Sequence, residues 1–293
     1  MAACGAGGSP EPPTSSPSSL PSSASPAPAT ATPTQPTPSG PASADQIAFT
    51  AQVGGVEGIF LMDAGTGEVT RLADGGGPAW SPDGTRIAFS RSPIDLGDLW
   101  VMNADGSRVM QVEGGMQFSW SPDSTRIATV TGAAMPDLGI VGVDGSSFVR
   151  LAAGQHPAWS PDGTRIAFVT WSEQPGIATL DPSSGDITTI TRGVGEPYAP
   201  AWSPDGTRIA FMNSRGGVLV VAAEGDDAAL LASGLPAGYA PAWSTDGAWL
   251  AFTIANPEGT ATDIHLVRAD GSGLQRLTTS GTARGPVWRP VAP

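Results

Sequence analysis

The chain is 293 residues long, room for one large domain or two small ones, and carries 27 acidic side chains against 14 basic ones, all arginine, for a net charge of −13. Such an acidic surface repels phosphate backbones and anionic headgroups, which argues against nucleic acid and bare lipid as partners. With one cysteine, Cys4, and two histidines, His156 and His265, neither an internal disulfide nor a Cys/His zinc cluster can be assembled, and no apolar stretch approaches the roughly 20 residues of a membrane-spanning helix.

Residues 1–44 differ in kind from the rest: 39 of them are Pro, Ser, Ala, Thr or Gly, no basic residue precedes Arg71 and no aromatic precedes Phe49. A segment of this composition cannot bury enough apolar area to offset its ordering entropy, and its prolines favour extended polyproline II. We read 1–44 as a disordered, semi-rigid tether and 45–293 as the folded domain. The opening Met1-Ala2-Ala3-Cys4-Gly5 resembles the end of a bacterial lipobox, in which the cysteine becomes the lipidated first residue and a Pro/Ser/Thr-rich spacer follows. That resemblance implies a lipid anchor at Cys4 and a place outside the cytoplasmic membrane; a free thiol in a flexible tail is the alternative.

From residue 46 the chain repeats. The string AWSPDGTRIAF stands at 79–89, 158–168 and 201–211, with degenerate copies SWSPDSTRIAT at 119–129 and AWSTDGAWLAF at 242–252 and a truncated PVWRP at 286–290. The repeat tryptophans Trp80, Trp120, Trp159, Trp202, Trp243 and Trp288 are spaced by 40, 39, 43, 41 and 45 residues, the period of a four-stranded propeller blade.

In chain order, the first unit begins with a strand of the second type, Gln46–Thr50, continues through Gly58–Asp63 and ends with Glu68–Ala73. Each later unit opens on a short Pro-Ala-Trp strand and a tight Ser-Pro-Asp-Gly turn, in which Pro82 presets φ and Gly84 accepts φ > 0. Thr-Arg-Ile-Ala-Phe then alternates, with Ile87 and Phe89 on one face and Arg86 on the other. Third strands are expected at Asp98–Met102, Gly217–Ala222 and Asp263–Arg268. Fourth strands follow at Arg108–Val112, Phe148–Ala152 and Leu274–Thr278. A spare first strand, Pro286–Pro290, remains at the C-terminal end. Joined to the first unit, it makes an all-β, six-bladed propeller of four-stranded blades with no open edge in the ring.

This pattern resembles the TolB-like (PD40, WD40-like) β-propeller repeat over residues 46–290. The resemblance implies a propeller whose tryptophans are core residues between blades and whose turn aspartates shape the turns. It also implies two unlike faces. The turns between first and second strands, and between third and fourth, are short and near-uniform. The connections Glu113–Gln117, Ala153–His156, Gly193–Ala199, Ser233–Ala240, Thr279–Gly285, Ala51–Glu57, Arg91–Gly97, Thr131–Asp137, Trp171–Pro175 and Ile254–Thr262 vary, and they open on the other face. Variable loops on a rigid scaffold are where function usually resides.

On that loop-rich face His156 precedes a first strand at the mouth of the channel, where it either contacts a ligand or is satisfied by a neighbouring loop. Tyr198 and Tyr239 hold comparable positions one and two blades on, as aromatic anchors or as plugs of the channel. Trp171 lies outside the repeat position, in a loop, which favours partner contact over the alternative of a core residue. Arg284 is a candidate for pairing with a carboxylate, and His265, inside a third strand, reads as structural. No catalytic motif, metal site or cofactor is expected: there is no G-x-S-x-G elbow, and Asn103, Asn213 and Asn256 with Glu196 and Asp137 give poor support for the cation site of propeller lactonases. The expectation is a monomeric, lipid-anchored envelope module that binds a protein or envelope component. A metal-dependent propeller hydrolase or lyase acting on a carbohydrate or lactone is the alternative.

Overall fold

The computed structural model describes residues 46–53, 56–63, 68–91, 98–115, 117–132, 135–225, 227–233, 240–256, 258, 262–277 and 286. Cys4 with the rest of 1–44, Tyr239, Arg284, Trp288 and all but the first residue of the expected closing strand lie outside the described residues.

Every regular element among the described residues is a β-strand, and every pairing is antiparallel between chain neighbours. The first sheet has three strands, β1 (Gln46–Val53), β2 (Val56–Asp63) and β3 (Val69–Asp74). The second has four, β4 (Gly76–Trp80), β5 (Arg86–Ser90), β6 (Leu99–Asn103) and β7 (Met110–Val112). A seven-stranded sheet follows: β8 (Phe118–Trp120), β9 (Arg126–Thr131), β10 (Asp137–Gly142), β11 (Val149–Trp159), β12 (Ile166–Thr170), β13 (Ile177–Leu180) and β14 (Ile187–Thr189). Two more four-stranded sheets complete the series. One comprises β15 (Pro197–Trp202), β16 (Arg208–Asn213), β17 (Gly217–Ala222) and β18 (Ala229–Ala232). The other comprises β19 (Ala242–Trp243), β20 (Trp249–Ala255), β21 (Thr262–Arg268) and β22 (Gln275–Arg276).

The turn that starts each repeat is closed by its own side chains. Ser81 Oγ donates to Asp83 Oδ1 at 2.6 Å, Thr85 N and Oγ1 donate to the same oxygen, and Arg86 N donates back to Ser81 Oγ. The Ser–Asp bond recurs at Ser121–Asp123, Ser160–Asp162, Ser203–Asp205 and Ser244–Asp246. These aspartates are thus spent on backbone geometry, as Asx-type turns require.

Three connections differ from the sequence expectation. Ala51–Glu57 is no loop, because Ala51, Gln52 and Val53 continue the ladder opposite Gly58, Glu57 and Val56. Ala153–His156 is no loop either: β11 pairs with β10 as far as Ala153 and with β12 from Gly154 onward, so one strand serves two sheets. Gly154 permits the crossing, since a Cβ there would stand 2.4 Å from the Phe168 ring. The strand expected from Arg108 starts only at Met110, because Arg108 has φ 53° and leaves the extended region.

Five apolar clusters form the core, each between consecutive four-stranded units or, at the start, between the first and second sheets. The repeat phenylalanines Phe89, Phe168, Phe211 and Phe252 are completely or almost completely buried in them. Trp120, Trp159, Trp202 and Trp243 are buried at the same joints. The indole Nε1 of Trp120, Trp202 and Trp243 donates to the carbonyl of Ala79, Ala158 and Ala201 one unit back, at 3.0–3.1 Å. Above each of Trp159, Trp202 and Trp243 lies the arginine of the preceding repeat, Arg126, Arg165 or Arg208, 4.7–5.1 Å from the ring centroid.

Candidate functional site

Three positions before the repeat tryptophans Trp80, Trp120, Trp159 and Trp202 stand Gly77, Gln117, His156 and Ala199. Three of the four are left-handed, with φ 63° at Gly77, 54° at His156 and 51° at Ala199. Each of these three precedes a proline and sits in a bulge, where the register slips between Gly76 and Ala79, Gln155 and Ala158, and Tyr198 and Ala201. A side chain resists that conformation, and a following proline narrows its choices further; the strain is about 1–3 kcal/mol at His156 and at Ala199. At His156 it is held by a bond across the joint, His156 N donating to Gln117 Oε1 at 2.7 Å.

The bulge turns the imidazole toward the next unit, where its centroid lies 6.5 Å from that of Tyr198 with the planes tilted by 50°. His156 is half-buried, and that burial pushes its pKa below the ordinary 6.5, so the ring is neutral at pH 7. Among the described residues no side chain bonds to either ring nitrogen. The result is one donor and one acceptor on a strained backbone.

Tyr198 is half-buried and packs against the cluster between the last two sheets, so its ring supports the core as well as facing His156. Trp171 is 50% exposed and follows Thr170, which pairs with Gly154 one strand outward from His156. Sequence reasoning did not single out Gln117; the available signal was its register, three residues before Trp120 as His156 is before Trp159. His265 stacks at 6.2 Å on Phe252, and its Nδ1 lies 3.3 Å from Asp263 O. Asn213 Nδ2 donates to Val194 O while its Oδ1 accepts from Gly217 N, and Asp137 is paired with Arg150 at 2.6 Å. Among the described residues no three His, Cys, Asp or Glu side chains are grouped to hold a metal ion.

Successive antiparallel sheets joined through tryptophan-centred cores define an all-β propeller of repeated units. The family model for the TolB beta propeller domain, PD40, matches residues 137–291, more than half of the chain, and the chain belongs to that family. TolB from Acinetobacter baumannii is similar in structure, with a TM-score of 0.66 at 17% identity over 84% of this chain and 67% of that one. A putative TolB from Agrobacterium tumefaciens aligns with a TM-score of 0.60 at 20% identity, covering 71% and 83% of the two chains. An oligogalacturonate lyase in complex with manganese aligns with a TM-score of 0.62 at 15% identity, covering 80% and 73%. At these identities the likeness is one of fold. No curated protein matches the chain in sequence.

Proposed function

We propose that this chain is an envelope binding module, a six-bladed propeller that holds a protein or envelope ligand on its loop-rich face around His156, Tyr198 and Trp171. The observation that carries the reading is His156: a non-glycine residue kept left-handed before a proline, with a neutral imidazole whose nitrogens have no partner among the described residues. Strain of this kind gathers at functional sites, and an open polar pair beside an aromatic ring suits recognition more than packing. Closure into six blades is supported by the first sheet, which has three strands where the later units have four, and by the truncated repeat copy PVWRP, 286–290, that follows β22 in the sequence. The lipobox-like Cys4 and the Pro/Ser/Thr-rich 5–44 support a tethered place outside the cytoplasmic membrane.

The test is capture of partners from an envelope extract by the full chain and by variants. His156→Ala and Trp171→Ala are expected to lose the captured partner, while Asp83→Asn on the opposite face retains it. Capture unchanged in both first variants overturns the reading. For the anchor, Cys4→Ser expressed in the native host with the upstream region of its gene is expected to move the protein from the detergent phase to the aqueous phase.

A second reading, a lyase or hydrolase acting on a carbohydrate, is favoured by the structural likeness to oligogalacturonate lyases. Among the described residues no three His, Cys, Asp or Glu side chains are grouped to hold a manganese ion. Depolymerisation of oligogalacturonate by the purified chain with added manganese decides for that reading.

A further inference from the structure

We propose that a pocket on the loop-rich face binds a small zwitterion with a basic side chain, a carboxylate with one or two ammonium groups, as in lysine free or at the C-terminal end of a chain. The inference rests on the reading of that face as the binding side. The pocket, of about 340 Å³, is lined by Glu173 and Gln174 from the loop after β12, Glu196 from the segment entering β15, and Ser214 and Arg215 from the turn after β16. Its volume falls at the lower end of small-ligand sites.

Its charged side chains, Glu173, Glu196 and Arg215, are exposed. Arg126, Arg150, Arg165 and Arg276 pair with carboxylates, and Arg91, Arg208 and Arg268 lie over tryptophan rings. Among the described residues Arg215 does neither, and neither Glu173 nor Glu196 has an ion-pair partner. Two carboxylates and a guanidinium therefore share one pocket without neutralising each other.

The backbone that carries them is stitched together. Glu196 N donates to Ser214 Oγ at 3.3 Å, Ser214 N donates to Glu196 O at 2.9 Å, and Asn213 Nδ2 donates to Val194 O at 2.6 Å. Arg215 lies across Gly195, where φ is +90° and a Cβ would meet the arginine Cγ and Nε at 3.5 Å. Those are ordinary contact distances, so what glycine supplies at 195 is the left-handed φ, which side chains rarely adopt.

A guanidinium fork takes a carboxylate through two parallel bonds, and the glutamates take ammonium groups. One positive and two negative side chains match a ligand with one carboxylate and one or two ammonium groups: free lysine engages both glutamates, a C-terminal lysine one of them. Gln174 and Ser214 add neutral bonds, and Trp171, half exposed, begins the same loop as Glu173.

The experiment is calorimetric titration of the full chain with L-lysine, with cadaverine, which lacks the carboxylate, and with L-glutamate. Saturable one-to-one binding of lysine is expected, weakened by salt and stronger than either control by on the order of tenfold. Arg215→Ala is expected to erase the preference for lysine over cadaverine with no change in melting temperature, and Glu196→Gln to weaken both ligands. An acetylated peptide ending in lysine, compared with its amide, separates the sources: tighter binding of the free-acid peptide than of lysine assigns the site to a chain end, and the reverse to the free amino acid. Absence of saturable lysine binding, or an unchanged lysine-to-cadaverine ratio in Arg215→Ala, overturns the site while His156-dependent capture stands. Capture that ignores His156 and Trp171 overturns the face as a whole.

Discussion

Arg165 lies over Trp202, its Cζ 5.0 Å from the ring centroid, while the Nε1 of the same indole donates 3.0 Å to Ala158 O one unit back. One tryptophan thus joins two sheets by an apolar face, a cation–π contact and a hydrogen bond. The joint before it is built differently. Trp159 has Arg126 over its ring, but its buried Nε1 has no partner among the described residues, and its backbone N donates instead to Ser119 Oγ at 3.1 Å. Ser119 stands where the other joints carry Ala79, Ala158 and Ala201.

That contrast predicts unequal costs for one substitution. Trp202→Phe loses the indole bond to Ala158 O, whereas Trp159→Phe removes a donor with no partner among the described residues. Both lose similar ring volume, so the difference isolates the bond, about 1–3 kcal/mol greater for Trp202. Denaturant unfolding of the two variants measures it; equal losses contradict the assignment.

The turn aspartates set an acid limb. Bonds from Ser121 and Ser203, with those from Thr125 and Thr207, hold Asp123 and Asp205 at about 2, below the ordinary 3.8. A depressed carboxyl binds fewer protons folded than unfolded, so its contribution is full above 3.8 and is lost as the pH falls through about 2. Asp123→Asn and Asp205→Asn should flatten the melting temperature against pH in that window, and a curve that keeps its slope in the double variant contradicts the assignment.

His156→Gly separates strain from function. Glycine accepts φ 54° freely, as Gly77 does in the second sheet, so unfolding free energy should hold or rise by about 1 kcal/mol. Partner capture should fall, because the imidazole is gone. A large loss of stability would show that the ring is a packing element. Tyr198→Ala is a poorer probe, since Tyr198 also packs on the core.

Closure is tested by deletion of 283–293, which removes Trp288 and leaves β1 an unpaired edge in the six-bladed scheme. Aggregation or a large fall in melting temperature is expected. A truncated chain that melts like the parent refutes the scheme.

What the sequence determined by itself is what depends on short range and period. Spacings of 39–45 residues between tryptophans, Ser-Pro-Asp-Gly turns and the alternation of Ile87 and Phe89 lead to antiparallel units of four strands, because turn chemistry and the two-residue period act within a few residues. Candidate residues were legible only as positions. His156 and Trp171 stood out because they interrupt the repeat, but a repeat does not say which side chains meet across a joint. Tertiary structure decided that Gln117 grips the backbone of His156, that Tyr198 packs on the core while its ring faces His156, and that Arg126, Arg165 and Arg208 lie on the next tryptophan. It also made β11 one strand of two sheets and brought Glu196 and Arg215 to a single pocket. The joint contacts link residues 33 to 44 positions apart in the chain, brought within reach only when one sheet packs on the next.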